Sequence, residues 1–241
     1  MRFVLPLIAL AALSACGGST GGNSTAAAPV ANVAAPAGQS WVETVAVTPE
    51  GGYRIGNPDA PVKLVEYGSR TCPTCGAFGR EANEPLIANY VSTGKVSFEF
   101  RDFAVHGAPD IAAAVLGRCN GTAAFFPLLE AMYQDQLATL DRIQAIPQAE
   151  QARLGSIPPA QAVSGYADAA GYVDFVKQRG VPEAKARQCL ADKALLDQVV
   201  KITESGGDVV TGTPTFLING EKAENAVSWA QVEAALKAAG A

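Results

Sequence analysis

Along the chain, apolar residues recur with two different periods. Trp41-Val42-Glu43-Thr44-Val45-Ala46-Val47 alternates with period two and reads as a strand, which Gly51-Gly52 turns. Turn chemistry over Ile55-Gly56-Asn57-Pro58-Asp59-Ala60-Pro61 leads into Val62-Lys63-Leu64-Val65-Glu66-Tyr67, a mostly apolar run of the buried-strand type. A helical pattern runs from Pro73 to about Ser92 and stops near Gly94, with Pro85 inside it expected to kink or break it. Val96 to Phe103 returns to strand, with Val96, Phe98 and Phe100 on one face. Two such strands around a helix predict a parallel βαβ unit.

The character changes from about Gly107 to Ser205. Helices are expected over Ala108–Cys119 and Phe125–Gln134, and over Tyr166–Arg179, where Tyr166, Ala169, Ala170, Val173 and Val176 share a stripe. Gly180 closes that helix and Pro182 opens the next, which carries Cys189. The stretch 134–159 reads as short helices and loop. After it all, Thr211 to Lys222 is sheet again, with Asn219-Gly220 as a hairpin turn. A last helix has Ser228 and Gln231 as a capping box, Trp229, Val232 and Leu236 inward and Gly240 as its stop. The order predicts an α/β domain over 41–106 and 206–241, interrupted by an all-helical insertion over 107–205.

The candidate chemistry sits where the first central strand meets its helix, in Cys72-Pro73-Thr74-Cys75. A thiol at a helix N-terminus lies among backbone N–H groups without intrahelical partners, at the positive end of the helix dipole. Both favour thiolate, so Cys72 is expected to be nucleophilic near neutral pH. Pro73 suits the first helical position, and Cys75 lies one turn inside, within reach of Cys72. The spacing reads as a dithiol redox centre. Half a zinc site or a purely structural disulfide are the competing readings, but zinc usually takes a second Cys/His pair. The chain has one histidine, His106, and its other candidate thiols stand apart at Cys119 and Cys189.

In this arrangement the chain resembles the DsbA-like branch of the thioredoxin superfamily. Four pieces carry the resemblance over residues 41–241: Gly56-Asn57-Pro58-Asp59-Ala60-Pro61-Val62, the Cys72-Pro73-Thr74-Cys75 motif, the helical insertion, and Gly212-Thr213-Pro214-Thr215-Phe216. It implies a thioredoxin-like fold with a large helical insertion and a cis Pro214 against the dithiol. The backbone of Thr213 would then face an extended substrate strand and hold it by main-chain bonds. It also implies a buried carboxylate under the cysteines, Glu66, that relays the proton of Cys75. Arg101 on the neighbouring strand is the expected basic partner of Glu66. Cys119 and Cys189 are expected to form a structural disulfide, two free thiols or a second relay being the alternatives. His106, at the junction of sheet and insertion, is expected to be a structural hydrogen-bonder. Thr74 brings no cation, so the Cys72 pKa is expected between the ~7 of thioredoxin and the ~3.5 of DsbA.

Composition and address refine this. Of 241 residues 49% are apolar and 17% charged, enough for a substantial core, and a net charge of −5 without a basic run argues against nucleic acid. Met1–Ala15 is expected to be a signal peptide, with Arg2 as its positive start and an apolar run from Phe3 to Leu13. Leu13-Ser14-Ala15-Cys16 resembles a bacterial lipobox, which implies lipidation at Cys16, an ordinary secretory signal being the alternative. Gly17 to Ser40 lacks charge and periodicity and reads as a disordered tether. By resemblance to the lipoprotein sorting rule of enteric bacteria, Gly17 in place of aspartate after the cysteine implies the outer membrane.

The expected function is therefore an exported, lipid-tethered thiol–disulfide oxidoreductase without cofactor or metal, expected to be a monomer in the periplasm. Its partners would be unfolded or partly folded exported proteins with cysteines, and a membrane redox partner that recharges the dithiol. Oxidation is the favoured direction, with reductase or isomerase second. From another class, a chaperone-like or metal-binding lipoprotein would use the dithiol as a ligand.

Overall fold

The computed structural model describes residues 27–241. The expected signal peptide and Cys16 lie outside the described residues. Six strands form one sheet in the order β1-β2-β4-β3-β5-β6. They are β1 (Val45–Val47), β2 (Tyr53–Ile55), β3 (Val62–Gly68), β4 (Val96–Asp102), β5 (Thr215–Ile218) and β6 (Glu221–Lys222). As the βαβ pattern predicts, β3 and β4 are parallel, with Leu64 opposite Phe98 and Glu66 opposite Phe100. The other pairings are antiparallel. Asn219 and Gly220 both have positive φ, as the hairpin between β5 and β6 demands. Strand β2 was not foreseen, because three residues between Gly52 and Gly56 are too few to show a period. Trp41–Glu43, expected in the first strand, forms a single 3₁₀ turn instead.

One face of the sheet presents Val62, Leu64, Phe98, Phe100, Phe216 and Ile218. It is covered by α1 (Pro73–Leu86), α3 (Thr122–Gln134) and α10 (Trp229–Ala238), through Phe78, Phe125, Tyr133, Val232 and Leu236. Past Pro85, the first helix continues as a π-helical turn over Ile87–Val91, so the proline alters its winding without ending it. The insertion between β4 and β5 is helical throughout. It comprises α2 (Ala108–Arg118), α3, α4 (Gln136–Gln144), α5 (Gln148–Ser156), α6 (Pro159–Ala169), α7 (Tyr172–Lys177), α8 (Glu183–Ala191) and α9 (Lys193–Ser205). Much of it has a core of its own around Ala113, Leu116, Val173, Val176, Leu190 and Val199. The single helix expected over Tyr166–Arg179 is divided at Gly171, whose φ of 75° ends α6 and starts α7.

Residues 27–40 correct the expectation of a disordered tether over 17–40. Ala27 and Val30 donate to the carbonyls of Ala238 and Gly240, and Val33 donates to Thr93, at 2.8–2.9 Å. The Trp41 indole closes the segment with a 2.7 Å bond to the Val33 carbonyl. None of the helices among the described residues is long and apolar enough to cross a membrane.

Cys119, at the end of α2, and Cys189 on α8 are joined by a disulfide that spans 70 residues. A closed loop of that length stabilises by about 4 kcal/mol in the chain-entropy account. The double variant Cys119→Ala/Cys189→Ala is therefore expected to lose about 3–4 kcal/mol in denaturant unfolding while keeping its dithiol exchange. A loss below about 1 kcal/mol would show that helix packing alone holds the insertion.

Candidate active site

Strand β3 ends at Gly68, and the turn Ser69-Arg70-Thr71 hands the chain to α1. Cys72 is the N-cap residue of α1 and Pro73 its first helical residue. Ser69 fixes the turn, its hydroxyl accepting from the N–H groups of Cys72 at 3.0 Å and Thr71 at 3.1 Å. Cys72 is 8% exposed and Cys75 is fully buried, both as free thiols. Pro73 and Thr74 face solvent. The Thr213–Pro214 peptide is cis, and Cys72 Sγ lies 3.2 Å from the Thr213 carbonyl oxygen, to which it donates when protonated. The turn before β5 is thus packed against the nucleophile from the far side of the chain.

The two thiols ionise very differently. A hydrogen bond from the Cys75 side chain, then Thr213 and the backbone N–H groups of Cys75 and Thr74, outweigh the cost of burial and bring Cys72 down to about 5. Burial pushes Cys75 well above the ordinary thiol range, and its bond to Cys72 and the nearby Glu66 push the same way. Cys72 is therefore a thiolate at neutral pH and Cys75 a thiol.

Glu66 lies on the apolar face of β3, between Phe100 of β4 and Phe216 of β5 in register. It is 2% exposed, and its Oε1 has no hydrogen-bond partner. An apolar slot between α1 and α3, lined by Phe78, Leu86, Phe98, Leu129 and Tyr133, reaches it. Burial first, then the Cys72 thiolate, push Glu66 up to about 8, against a smaller pull from Arg70.

Arg101 is not the partner of Glu66. It stands opposite Tyr67 in the β3–β4 register, so its side chain leaves the sheet on the other face. There it binds Glu99 through Nε at 2.7 Å and the Tyr67 hydroxyl at 2.9 Å. The cation that acts on Glu66 is Arg70, which sequence reasoning passed over. Arg70 is buried beside the cysteines, paired with Asp102 and stacked against Phe100 and Phe125 at 5.4 and 5.3 Å. Arg118 of α2 grips the same Asp102 through Nε at 2.7 Å.

The insertion also supplies groups that no sequence signal marked. Gln136 of α4 donates to the carbonyls of Cys72 at 2.8 Å and Arg70 at 3.1 Å. Its amide lies so close over α1 that a Cβ at position 76 would overlap it, which accounts for Gly76 directly after the motif. Asp110 of α2, 3% exposed, accepts from Ser69 Oγ and Thr71 Oγ1, both at 2.7 Å.

Comparison with known proteins follows the same lines. The thioredoxin family profile matches residues 48–238. A protein-disulfide oxidoreductase of Rickettsia bellii is 24% identical over 176 residues, 71% of this chain and 58% of the relative. Disulfide bond formation protein D of Bacillus subtilis is 33% identical over 61 residues, 25% of this chain and 28% of the relative. The chain thus spans less than two thirds of the length of these curated relatives. Among solved structures, protein-disulfide isomerase from Novosphingobium aromaticivorans superposes with a TM-score of 0.73 at 28% identity, covering 77% of this chain and 95% of that one. Wolbachia pipientis alpha-DsbA1 superposes with a TM-score of 0.61 at 20% identity, covering 79% and 90%. The chain belongs to the thioredoxin family, and its helical insertion gives it the DsbA-like form of that fold.

Proposed function

We propose that the chain is an exported thiol–disulfide oxidoreductase that forms disulfides in unfolded or partly folded proteins, tethered by a lipid on Cys16. The observation that carries this reading is the Cys72–Cys75 pair at the head of α1, with Cys72 against the Thr213 carbonyl and Cys75 buried one turn inside. In the oxidised protein a substrate thiolate attacks Cys72 Sγ and the Cys72–Cys75 bond breaks. Cys75 leaves as a thiolate that is unstable where it lies and takes a proton. Glu66, neutral below about 8, supplies it. A second substrate thiolate then attacks the substrate sulfur of the mixed disulfide. Cys72 leaves unprotonated, which its low pKa makes fast. Two electrons have passed from the substrate dithiol to Cys72–Cys75, and a membrane redox partner withdraws them.

Support for an extended polypeptide as substrate comes from the surround. A groove beside Pro214 runs between Thr211–Phe216 and Lys222–Val227. Exposed Leu137, Val105 and Val227 belong to segments that flank the dithiol or this groove. Apolar contacts of this kind, with main-chain bonds at Thr213, suit many sequences. A specific observation favours a second direction, isomerisation, since the protein-disulfide isomerase of Novosphingobium superposes at 28% identity. Alkylation trapping in the native compartment separates the two. A dithiol found mainly oxidised is the expected result, and one found mainly reduced would overturn the oxidase direction.

Cys72→Ser is expected to abolish exchange, and Cys75→Ser to accumulate mixed disulfides through Cys72 on non-reducing gels. Exchange that survives in Cys72→Ser would refute the mechanism.

Glu66 gives a thermodynamic prediction with a definite sign. Its folded pKa is raised above the ordinary 4.5, so between about 4.5 and about 8 the unfolded chain has lost this proton while the folded protein keeps it. Stability from this group is then full below about 4.5 and is lost as pH rises toward about 8. In the oxidised protein the Cys72 thiolate is gone, but burial, the larger cause, remains. Glu66→Gln removes the titration, so its stability relative to the parent is expected to grow across this window, by on the order of a few kcal/mol. Urea unfolding of the oxidised forms at both ends of the window measures it. A difference that does not change with pH would show that Glu66 is ionised in the fold.

A further inference from the structure

The polar network under the Ser69–Cys72 turn reaches solvent at His106, whose side chain is 52% exposed. Its Nδ1 lies 2.7 Å from Thr71 Oγ1 and 3.6 Å from Asp110 Oδ2. Its backbone N–H donates to the same Asp110 oxygen at 2.8 Å. The other Asp110 oxygen takes the hydroxyl protons of Thr71 and Ser69 at 2.7 Å each, and the Thr71 N–H at 3.2 Å. Burial would raise the Asp110 carboxyl, but these hydrogen bonds outweigh it and hold it ionised below its usual range.

This geometry fixes the tautomer. A threonine hydroxyl has one proton to give, and that of Thr71 goes to the Asp110 carboxylate. The short contact to His106 is therefore a bond donated by Nδ1–H to Thr71 Oγ1. The nitrogen left to take up a proton is Nε2. Ser69 Oγ, bound to the same carboxylate, accepts the Cys72 N–H at 3.0 Å. Hydrogen bonds thus run without a break from His106 to the N-cap of α1.

We propose that His106 is a positioning residue for the dithiol: its imidazolium, oriented by Thr71 and Asp110, stabilises the Cys72 thiolate and couples reduction of the disulfide to proton uptake at His106 Nε2. The inference rests on the reading of Cys72–Cys75 as a redox pair. When the disulfide takes two electrons from a substrate dithiol, two protons leave the substrate. Cys75 keeps one and Cys72 stays a thiolate. The second goes to solvent or, between the histidine's two redox-state pKa values, in part to Nε2. The titratable groups that act on His106 are Asp110 from α2, first, and Cys72 at the head of α1. Asp110 is ionised in both redox states and cancels from the difference. Of the groups that act on His106, only Cys72 changes its charge with redox state, so it sets the coupling.

The protein offers a clean reporter, because His106 is the one histidine among 241 residues. In the untagged protein a single imidazole Cε1–H resonance follows it by proton NMR. Its titration midpoint is expected to be higher in the reduced than in the oxidised protein, by on the order of half a pH unit for a half-exposed pair. By reciprocity, His106→Gln should raise the midpoint of the Cys72 thiolate absorbance by a similar amount and make the dithiol less oxidising against glutathione. Equal midpoints in the two redox states would overturn the proposal, whatever the variant does to folding. Failure of the redox reading itself looks different: the parent protein would then not equilibrate with glutathione at all.

Discussion

Two thiols one helical turn apart must ionise at very different pH, and the site is arranged around that requirement. The positive end of α1 alone cannot separate them, since Cys72 and Cys75 both stand in its first turn. The separation comes from exposure and from what lies beneath. Cys72 collects hydrogen bonds that stabilise its anion, from the Cys75 side chain first and from the backbone N–H groups of Cys75 and Thr74. Cys75 is sealed in the core above a carboxyl group. A permanently charged Glu66 would suppress Cys75 but would also repel the Cys72 thiolate. Placed between Phe100 and Phe216, Glu66 is neutral at neutral pH and so avoids that conflict.

The helical insertion is part of this arrangement. Asp110 and Arg118 come from α2, Tyr133 from α3 and Gln136 from α4, and each meets the β3–α1 turn or the charges behind it. Without them the turn would bury unpaired carbonyls and hydroxyls, at a cost on the order of 1–3 kcal/mol each. Asp102 shows the same dependence, being buried between Arg70 of the turn and Arg118 of the insertion. Removing either arginine leaves a buried charge short of a partner, which is costlier than the pair itself is favourable. The dithiol is therefore held by both halves of the molecule at once.

What the sequence made legible was mostly local. The motif at a strand-to-helix junction, the Asn219-Gly220 hairpin and the Ser228–Gln231 box each depend on neighbours within a few positions. Arg101 failed for a reason already present in the pattern. Val96, Phe98 and Phe100 alternate onto the core face, so residue 101 had to point away from it, while Glu66 is in phase with Val62 and Leu64. Arg70 had no such signal, because a charge buried in a turn is paired only by residues distant in sequence. Gln136 sits at the start of the least periodic stretch of the chain, where its role depends on the close approach that Gly76 permits.

The segment before the domain shows a different limit. Residues 27–40 have the composition of a linker, and composition predicts disorder when a segment cannot bury enough apolar surface to offset its own ordering. Here the compensation comes from another element's backbone. The last carbonyls of a helix have no partner within it; here Ala238, the last residue of α10, accepts from Ala27, and Gly240, just past its cap, accepts from Val30. Further on, Gly94 leaves no room for a side chain between Val33 and Trp41, so the segment closes directly over the end of the first helix. Neither partner can be read from the segment itself. A low-complexity stretch is ordered here because it completes hydrogen bonds that the folded domain leaves open.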